Sequence, residues 1–77
     1  MHATLSSVPF DQPCVITNVL ESPIKSKLLE MGLVEGKELK VLFKAPFGDP
    51  IAVSVGDYVL SLRLDEANLI EVEEEKK

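Results

Sequence analysis

The chain is poor in cysteine and histidine, two residue types that many catalytic and metal sites use. Its 77 residues include one cysteine, one histidine and no tryptophan. The single cysteine, Cys14, excludes an internal disulfide and suits a reducing compartment. The only histidine, His2, has no Ser, Cys or Asp companion in a defined site, and ferrous iron favours histidine together with carboxylates. We therefore expect a non-enzymatic protein with no cofactor and no specific metal site.

The chain also lacks the basic surface that nucleic acids attract. Its formal net charge is −5, and its only arginine is Arg63. Nucleic-acid binding needs clustered lysine and arginine with few opposing acids. Acidic residues accumulate towards the C-terminus, where residues 73–77 read Glu-Glu-Glu-Lys-Lys. That run is typical of a charged, flexible tail, and we expect no nucleic-acid partner.

Long hydrophobic runs are absent as well. No apolar stretch approaches the roughly 18 residues that a membrane-spanning helix needs. The start, Met1-His2-Ala3-Thr4, has neither the basic nor the apolar region of a leader. We expect a cytoplasmic protein without membrane insertion, in which residues 1–77 form a single domain.

The first half of the chain contains two strand patterns. β-Branched residues predict a strand over 14–20, with Cys14 buried in it. Alternation of apolar and polar residues predicts a second strand over 37–44, whose inward side chains are expected to be Leu39, Val41 and Phe43. The proline-containing segment before the first strand is expected to be extended and to pack on the body through Leu5, Val8 and Phe10.

The second half predicts three more strands. The runs 51–55 and 58–64 alternate, and the Gly56-Asp57 pair between them suits a two-residue hairpin turn. Asp65 is expected to cap a single helical turn before a short last strand over 69–72.

Between the first two strands, Ser22 and Pro23 mark the start of a helix. A serine cap followed by proline at the first helical position is a common start signal. Ile24, Leu28 and Met31 then recur on one helical face. Gly32 follows where a left-handed C-terminal cap is needed, so the predicted helix is short.

Five short strands, a helix after the first and a helical turn before the last indicate a small, strongly bent barrel rather than a sandwich. Such a barrel leaves an exposed strand edge, which makes homo-oligomers a possible assembly.

Three segments of the sequence also resemble motifs of the FeoA family. Residues 27–36, Lys-Leu-Leu-Glu-Met-Gly-Leu-Val-Glu-Gly, are similar to the family's RL-x-x-LGL-x-x-G element. Residues 45–51, Ala-Pro-Phe-Gly-Asp-Pro-Ile, are similar to its APLGDPI element. Leu62-Arg63 with residues 67–72 resembles its LR…A-x-x-I-x-V close. The departures, among them Phe47 where the family usually has leucine, preserve charge sign, exposure or hydrophobicity.

The resemblance implies an SH3-like β-barrel that serves as a cytoplasmic accessory protein of ferrous iron transport. Its implied partner is FeoB, a membrane permease with a cytosolic GTPase domain. This chain has no GxxxxGK[ST] phosphate loop, which agrees with a nucleotide site in the partner.

Five residues are candidate partner contacts. An aromatic tip on a loop stiffened by two prolines suits an interface anchor, which points to Phe47. Two leucines lie at the edge and the exit of the predicted helix, and two lysines flank it and could steer an acidic partner. These four residues complete the set: Lys25, Lys27, Leu29 and Leu33.

Two other functions stay open at this point. One is a regulatory domain related to the SH3-like domain at the end of iron-dependent repressors. The other is a weak metal-carrying chaperone. Recognition of polyproline peptides fits poorly, because that groove needs several aromatic side chains and this chain has one Tyr and three Phe.

Overall fold

The computed structural model describes residues 3–75, whose regular secondary structure is mainly β-strand. One antiparallel sheet contains six strands: β1 Ala3–Thr4, β2 Pro13–Val19, β3 Glu38–Lys44, β4 Ile51–Val55, β5 Tyr58–Leu62 and β6 Ile70–Glu74. Their order across the sheet is β1-β6-β2-β3-β4-β5. The helical elements are a 3₁₀ turn at Leu5–Ser7, helix α1 at Lys25–Glu30 and helix α2 at Leu64–Ala67.

This architecture confirms the predicted fold class, with two differences. A helix follows the first long strand, and a helical turn precedes the last strand, as predicted. Strand β1 is additional to the five predicted strands, and it pairs Ala3 with Val72 of β6. Strands β1 and β5 are the two edges, so the sheet bends around its core without closing into a complete barrel.

The C-terminal strand extends further than predicted. Glu73 and Glu74, expected in the flexible tail, pair with Val15 and Cys14 of β2. Lys76 and Lys77 lie outside the described residues, as does His2.

One hydrophobic core lies inside the curved sheet. Strands β2 to β6 and helix α1 all contribute buried side chains. The N-terminal segment adds Leu5 and Val8, as predicted. The prediction that Phe10 also packs on the body is wrong, because its side chain is 56% exposed. The chain turns at Asp11, whose amide donates to the Val41 carbonyl at 2.8 Å, and this leaves Phe10 outside.

A bulge in β3 overturns the prediction for Phe43. Val41 pairs with Val53, but the next paired residue is Phe43, opposite Ala52. Leu42 is therefore the extra residue, and an inserted residue shifts the alternation of every side chain that follows it. Phe43 is consequently 58% exposed instead of buried.

Helix α1 begins two residues later than predicted, and its N-cap is Ile24 rather than Ser22. The Ser22 hydroxyl accepts a hydrogen bond from the Ile24 amide at 3.2 Å, and the helix proper starts at Lys25. At its end, Gly32 has φ +94°, and the amides of Gly32 and Leu33 donate to the carbonyls of Leu29 and Leu28. This is a Schellman motif, in which glycine avoids the strain that a Cβ would cause.

Helix α2 is capped differently from the prediction. Asp65 lies inside the helix, whose N-cap is Arg63. Glu66 accepts from the Arg63 amide at 2.8 Å, and Asp49 accepts from the Leu64 amide at 3.0 Å. Two carboxylates therefore satisfy amides at the helix start, so the helix begins two residues earlier than predicted, at Leu64.

Cys14 is buried in β2, as predicted. Its thiol donates to the Leu39 carbonyl at 3.5 Å. Desolvation by burial, with the charges of Glu74 and Glu75, raises the pKa of the thiol from 9.0 to about 11. The thiol is therefore protonated at neutral pH and is a poor nucleophile.

Candidate partner-binding surface

The loop of residues 45–50, between β3 and β4, displays Phe47 in solvent. The Gly48 amide donates to the Ala45 carbonyl at 2.7 Å, and the Ala45 amide donates to the Pro50 carbonyl at 3.0 Å. The loop is fastened at its side as well, because Asp49 accepts from the Leu64 amide. The Phe47 side chain is 96% exposed at the tip of this braced structure.

An exposed phenylalanine on a braced loop is suited to binding. Burying such a side chain against a partner contributes about 1.5–3 kcal/mol. A loop that is already ordered loses little conformational entropy when it binds.

Further apolar side chains are exposed at the same end of the sheet. Phe43 lies on the outer face beside the loop, and Leu64 follows the end of β5 that pairs with Ile51. They are 58% and 37% exposed. We call Phe43, Phe47 and Leu64 the loop-end surface. Only Phe47 is predictable from the sequence, because the exposure of Phe43 depends on the bulge and that of Leu64 on the early start of α2.

Three of the other candidate residues are accessible on helix α1. Lys27 is exposed, and Leu29 is 38% exposed. The ammonium of Lys25 lies 2.6 Å from the Glu21 carboxylate, in an ion pair between residues four apart. The charge of Lys25 is therefore partly engaged within the chain.

The prediction that Leu33 contacts a partner is wrong, because its side chain is completely buried. It occupies the position after the capping glycine of the Schellman motif. There a hydrophobic residue packs against the last turn of the helix, represented here by the equally buried Leu28. The Gly32-Leu33 pair is the sequence signal that indicates this burial.

The candidates do not form one continuous surface. The Tyr58 hydroxyl donates to the Met31 carbonyl, which fastens the end of α1 to the start of β5. The loop of residues 45–50 lies at the other end of β4, beside Ile51 and Leu62. At about 3.3 Å per residue, five residues separate these ends by roughly 13 Å. The loop-end surface and the exposed side of α1 are two separate places.

An open groove of about 640 Å³ lies on the outer face of the sheet. Its lining includes Pro13, Val15, Lys37, Lys40 and Ser54, and no aromatic side chain. Grooves that bind polyproline are lined by aromatics, so this groove does not fit that ligand.

Two further features bear on function. Within residues 3–75, no group of three His, Cys, Asp or Glu side chains is placed to hold a metal ion. The helices of the same region are all too short to span a bilayer.

The chain matches the model of the FeoA domain over residues 3–74. A curated relative is the Fe(2+) transport protein A/Fe(2+) transporter FeoB fusion protein of Porphyromonas gingivalis. The two are 38% identical over 63 residues, which make up 82% of this chain and 8% of the relative.

Two solved structures are similar over nearly the whole chain. The FeoA-like protein of Clostridium acetobutylicum has a TM-score of 0.90 and 36% identity, with 99% of this chain and 90% of that chain covered. The FeoA of Stenotrophomonas maltophilia, complexed with zinc and described as an SH3 domain protein, has a TM-score of 0.82 and 33% identity. That match covers 92% of this chain and 89% of that one.

A manganese-dependent transcriptional repressor contains the same fold. Its TM-score is 0.88, and the match covers 96% of this chain and 37% of the repressor. At 16% identity the likeness concerns the fold alone.

Proposed function

The chain belongs to the FeoA family, and we propose that it is a non-enzymatic accessory protein of ferrous iron transport that acts by binding the cytosolic GTPase region of a FeoB-type permease. The fused relative carries this proposal. In that relative, Fe(2+) transport protein A and the transporter FeoB are fused in one polypeptide, and this chain aligns with 8% of its length. Covalent linkage keeps two domains at a high effective concentration, which is useful when they act on each other.

The loop-end surface is the proposed contact, with Phe47 as its anchor. Large aromatic side chains dominate the binding energy of many interfaces. Phe47 is the most exposed large hydrophobic residue of residues 3–75, and its loop is braced by Asp49. Lys25, Lys27 and Leu29 on α1 are a second, separate candidate contact.

The first test is binding of the purified chain to the cytosolic region of a FeoB-type transporter from the same genome, with GTP hydrolysis and ferrous iron uptake measured in parallel. We expect saturable binding and reduced uptake when the chain is deleted. No binding together with unchanged uptake would overturn the proposed function.

A variant series tests the anchor. Phe47→Ala is expected to weaken binding about tenfold or more, because truncation of an anchoring aromatic commonly costs about 2 kcal/mol and about 1.4 kcal/mol is tenfold. Phe47→Leu keeps an apolar tip and should retain most of the affinity. Val34→Ala is the control, since Val34 is also exposed but bonds to Lys37, which lies beside Gly56 at the other end of β4 from the loop. Equal affinity of Phe47→Ala and the wild type would contradict the assignment of Phe47.

Two second candidates have specific observations in their favour. One is a regulatory domain for a DNA-binding protein, because the same fold occurs as one part of a transcriptional repressor. Binding to a helix-turn-helix protein, and none to the transporter, would favour it. The zinc complex of the Stenotrophomonas relative suggests metal carriage. Anaerobic titration calorimetry with ferrous iron tests that function, and the absence of stoichiometric heat would eliminate it.

A further inference from the structure

Strand β5 is an open edge of the sheet. It pairs with β4 on one side, and no other strand of residues 3–75 pairs with it. In a hairpin with a two-residue turn, the flanking residues exchange hydrogen bonds and the pairs alternate from there. Val55–Tyr58, Val53–Leu60 and Ile51–Leu62 are therefore the bonded pairs. The amides and carbonyls of Val59 and Ser61 point away from β4, towards the free edge.

Strand β5 itself contains no charge, proline or bulge that would prevent pairing. Natural edge strands contain charges, proline or a bulge that prevent the addition of another strand. Residues 58–62 read Tyr-Val-Leu-Ser-Leu, with no charge and no proline. The register with β4 is unbroken, so the edge has no bulge either. Val59, the residue at its outer face, is 62% exposed.

The charges that flank β5 are self-complementary. Asp57 comes directly before the strand and Arg63 directly after it, and both are exposed. Neither has an ion-pair partner in the described part of the chain. If two copies of β5 pair antiparallel about Leu60, Val59 of one copy lies opposite Ser61 of the other. The same register brings Asp57 of each copy opposite Arg63 of the other.

We propose that β5 is a homodimerisation edge, at which two copies of this chain pair antiparallel about Leu60. The register agrees with the hydrogen-bond pattern, because Val59 and Ser61 are the residues whose backbone groups face outwards. It also places two opposite-charge contacts symmetrically at the ends of the shared ladder. A five-residue edge buries far less area than a stable interface, so the dimer is weak and depends on protein concentration. This inference is independent of the proposed transporter partner.

Amide exchange and sedimentation test the pairing on the purified chain. We expect the exchange of the Val59 and Ser61 amides to slow as the concentration rises to about 1 mM. The Leu60 and Leu62 amides are the internal control, because they already bond to β4. Sedimentation equilibrium should show a monomer–dimer transition over the same range. A monomer throughout, with unchanged exchange at Val59 and Ser61, would overturn the proposal.

Charge exchange tests the register. In a dimer of Asp57→Arg chains, or of Arg63→Asp chains, two symmetric pairs of like charges face each other. Each variant is therefore expected to weaken the dimer about tenfold. The double variant Asp57→Arg/Arg63→Asp should restore dimerisation to within about twofold. Glu30→Lys, on the exposed side of α1, is the matched control and should change it little. Failure of the double variant to restore dimerisation would exclude this register.

Removal of an edge donor tests the ladder itself. Ser61→Pro deletes an amide that faces solvent in the monomer, so circular dichroism should show a retained fold while dimerisation is lost. A parallel exchange experiment with the transporter's cytosolic region added shows whether this edge pairs with a second copy or with the transporter. Protection of Val59 and Ser61 that appears only with that region present would refute self-pairing.

Discussion

Leu29 and Leu33 are both apolar and only four residues apart, yet their environments differ completely. Leu29 is 38% exposed on α1, whereas Leu33 is fully buried. The difference arises because Gly32 reverses the chain direction, so that Leu33 packs back on the helix it follows. Hydrophobicity alone does not separate these two residues, but the glycine between them does.

This difference predicts unequal effects on stability. Leu33→Ala should lower the free energy of unfolding by about 2–5 kcal/mol, because it leaves a cavity in the core. Leu29→Ala should change it by less than about 1 kcal/mol. Urea denaturation followed by circular dichroism measures both. Similar losses in the two variants would contradict the burial of Leu33 and the exposure of Leu29.

Cys14 predicts a specific dependence of stability on pH. Burial raises the pKa of its thiol from 9.0 to about 11. Below about pH 9 both states keep the proton; between about pH 9 and 11 the unfolded chain releases it and the folded chain does not. Stability is therefore lost over this window, by about 2–3 kcal/mol in total.

The comparison with Cys14→Ala isolates this effect from every other group in the chain. The stability difference between wild type and variant should shrink from pH 8 to pH 11 under reducing conditions. Parallel pH profiles would show that the thiol titrates alike in both states.

At the scale of elements, helix α1 and the hairpin of β4 and β5 are joined by one close contact. The Tyr58 hydroxyl donates to the Met31 carbonyl and lies where a Cβ at residue 32 would be. Gly32 is therefore required twice, by its positive φ and by the space that Tyr58 occupies. The local sequence predicts the first requirement, and only the packing of helix against hairpin creates the second.

A double-mutant cycle measures the coupling at this contact. Gly32→Ala should lower the free energy of unfolding by more than about 1 kcal/mol, and Tyr58→Phe by about 0.5–1.5 kcal/mol. In the Tyr58→Phe background, Gly32→Ala should cost less, because the clashing hydroxyl is gone. Strict additivity of the two changes would argue against the close approach of Tyr58 to Gly32.

The role of Asp49 also depends partly on the local sequence and partly on a contact with a distant segment. Its place in a turn before Pro50 is predictable, since aspartate commonly bonds backbone amides. The amide that it binds belongs to Leu64, 15 residues away in α2. One loop residue thus braces the presentation of Phe47 and caps a helix.

At the scale of the whole molecule, the N-terminal segment closes one side of the core. Leu5 and Val8 are buried, and β1 extends the sheet next to β6. Small domains bury a limited fraction of their surface, so each core side chain accounts for a large share of stability.

The N-terminal closure predicts a large effect from a residue near the chain terminus. Leu5→Ala should lower the free energy of unfolding by about 2–5 kcal/mol. Phe10→Ala, in the same segment but exposed, should have an effect below about 1 kcal/mol. Thermal unfolding measures both, and a stable Leu5→Ala variant would show that the segment is dispensable to the core.

The sequence by itself determined the end of α1, the hairpin at Gly56-Asp57, most strand positions and the family. Each of these depends on residues within a few positions of one another, where capping, turn geometry and alternation act. The tertiary structure decided the exposure of Phe43, the partner of Asp49, the separation of Phe47 from α1 and the open edge at β5. Those features depend on strand register and on contacts between distant segments, which local patterns do not encode.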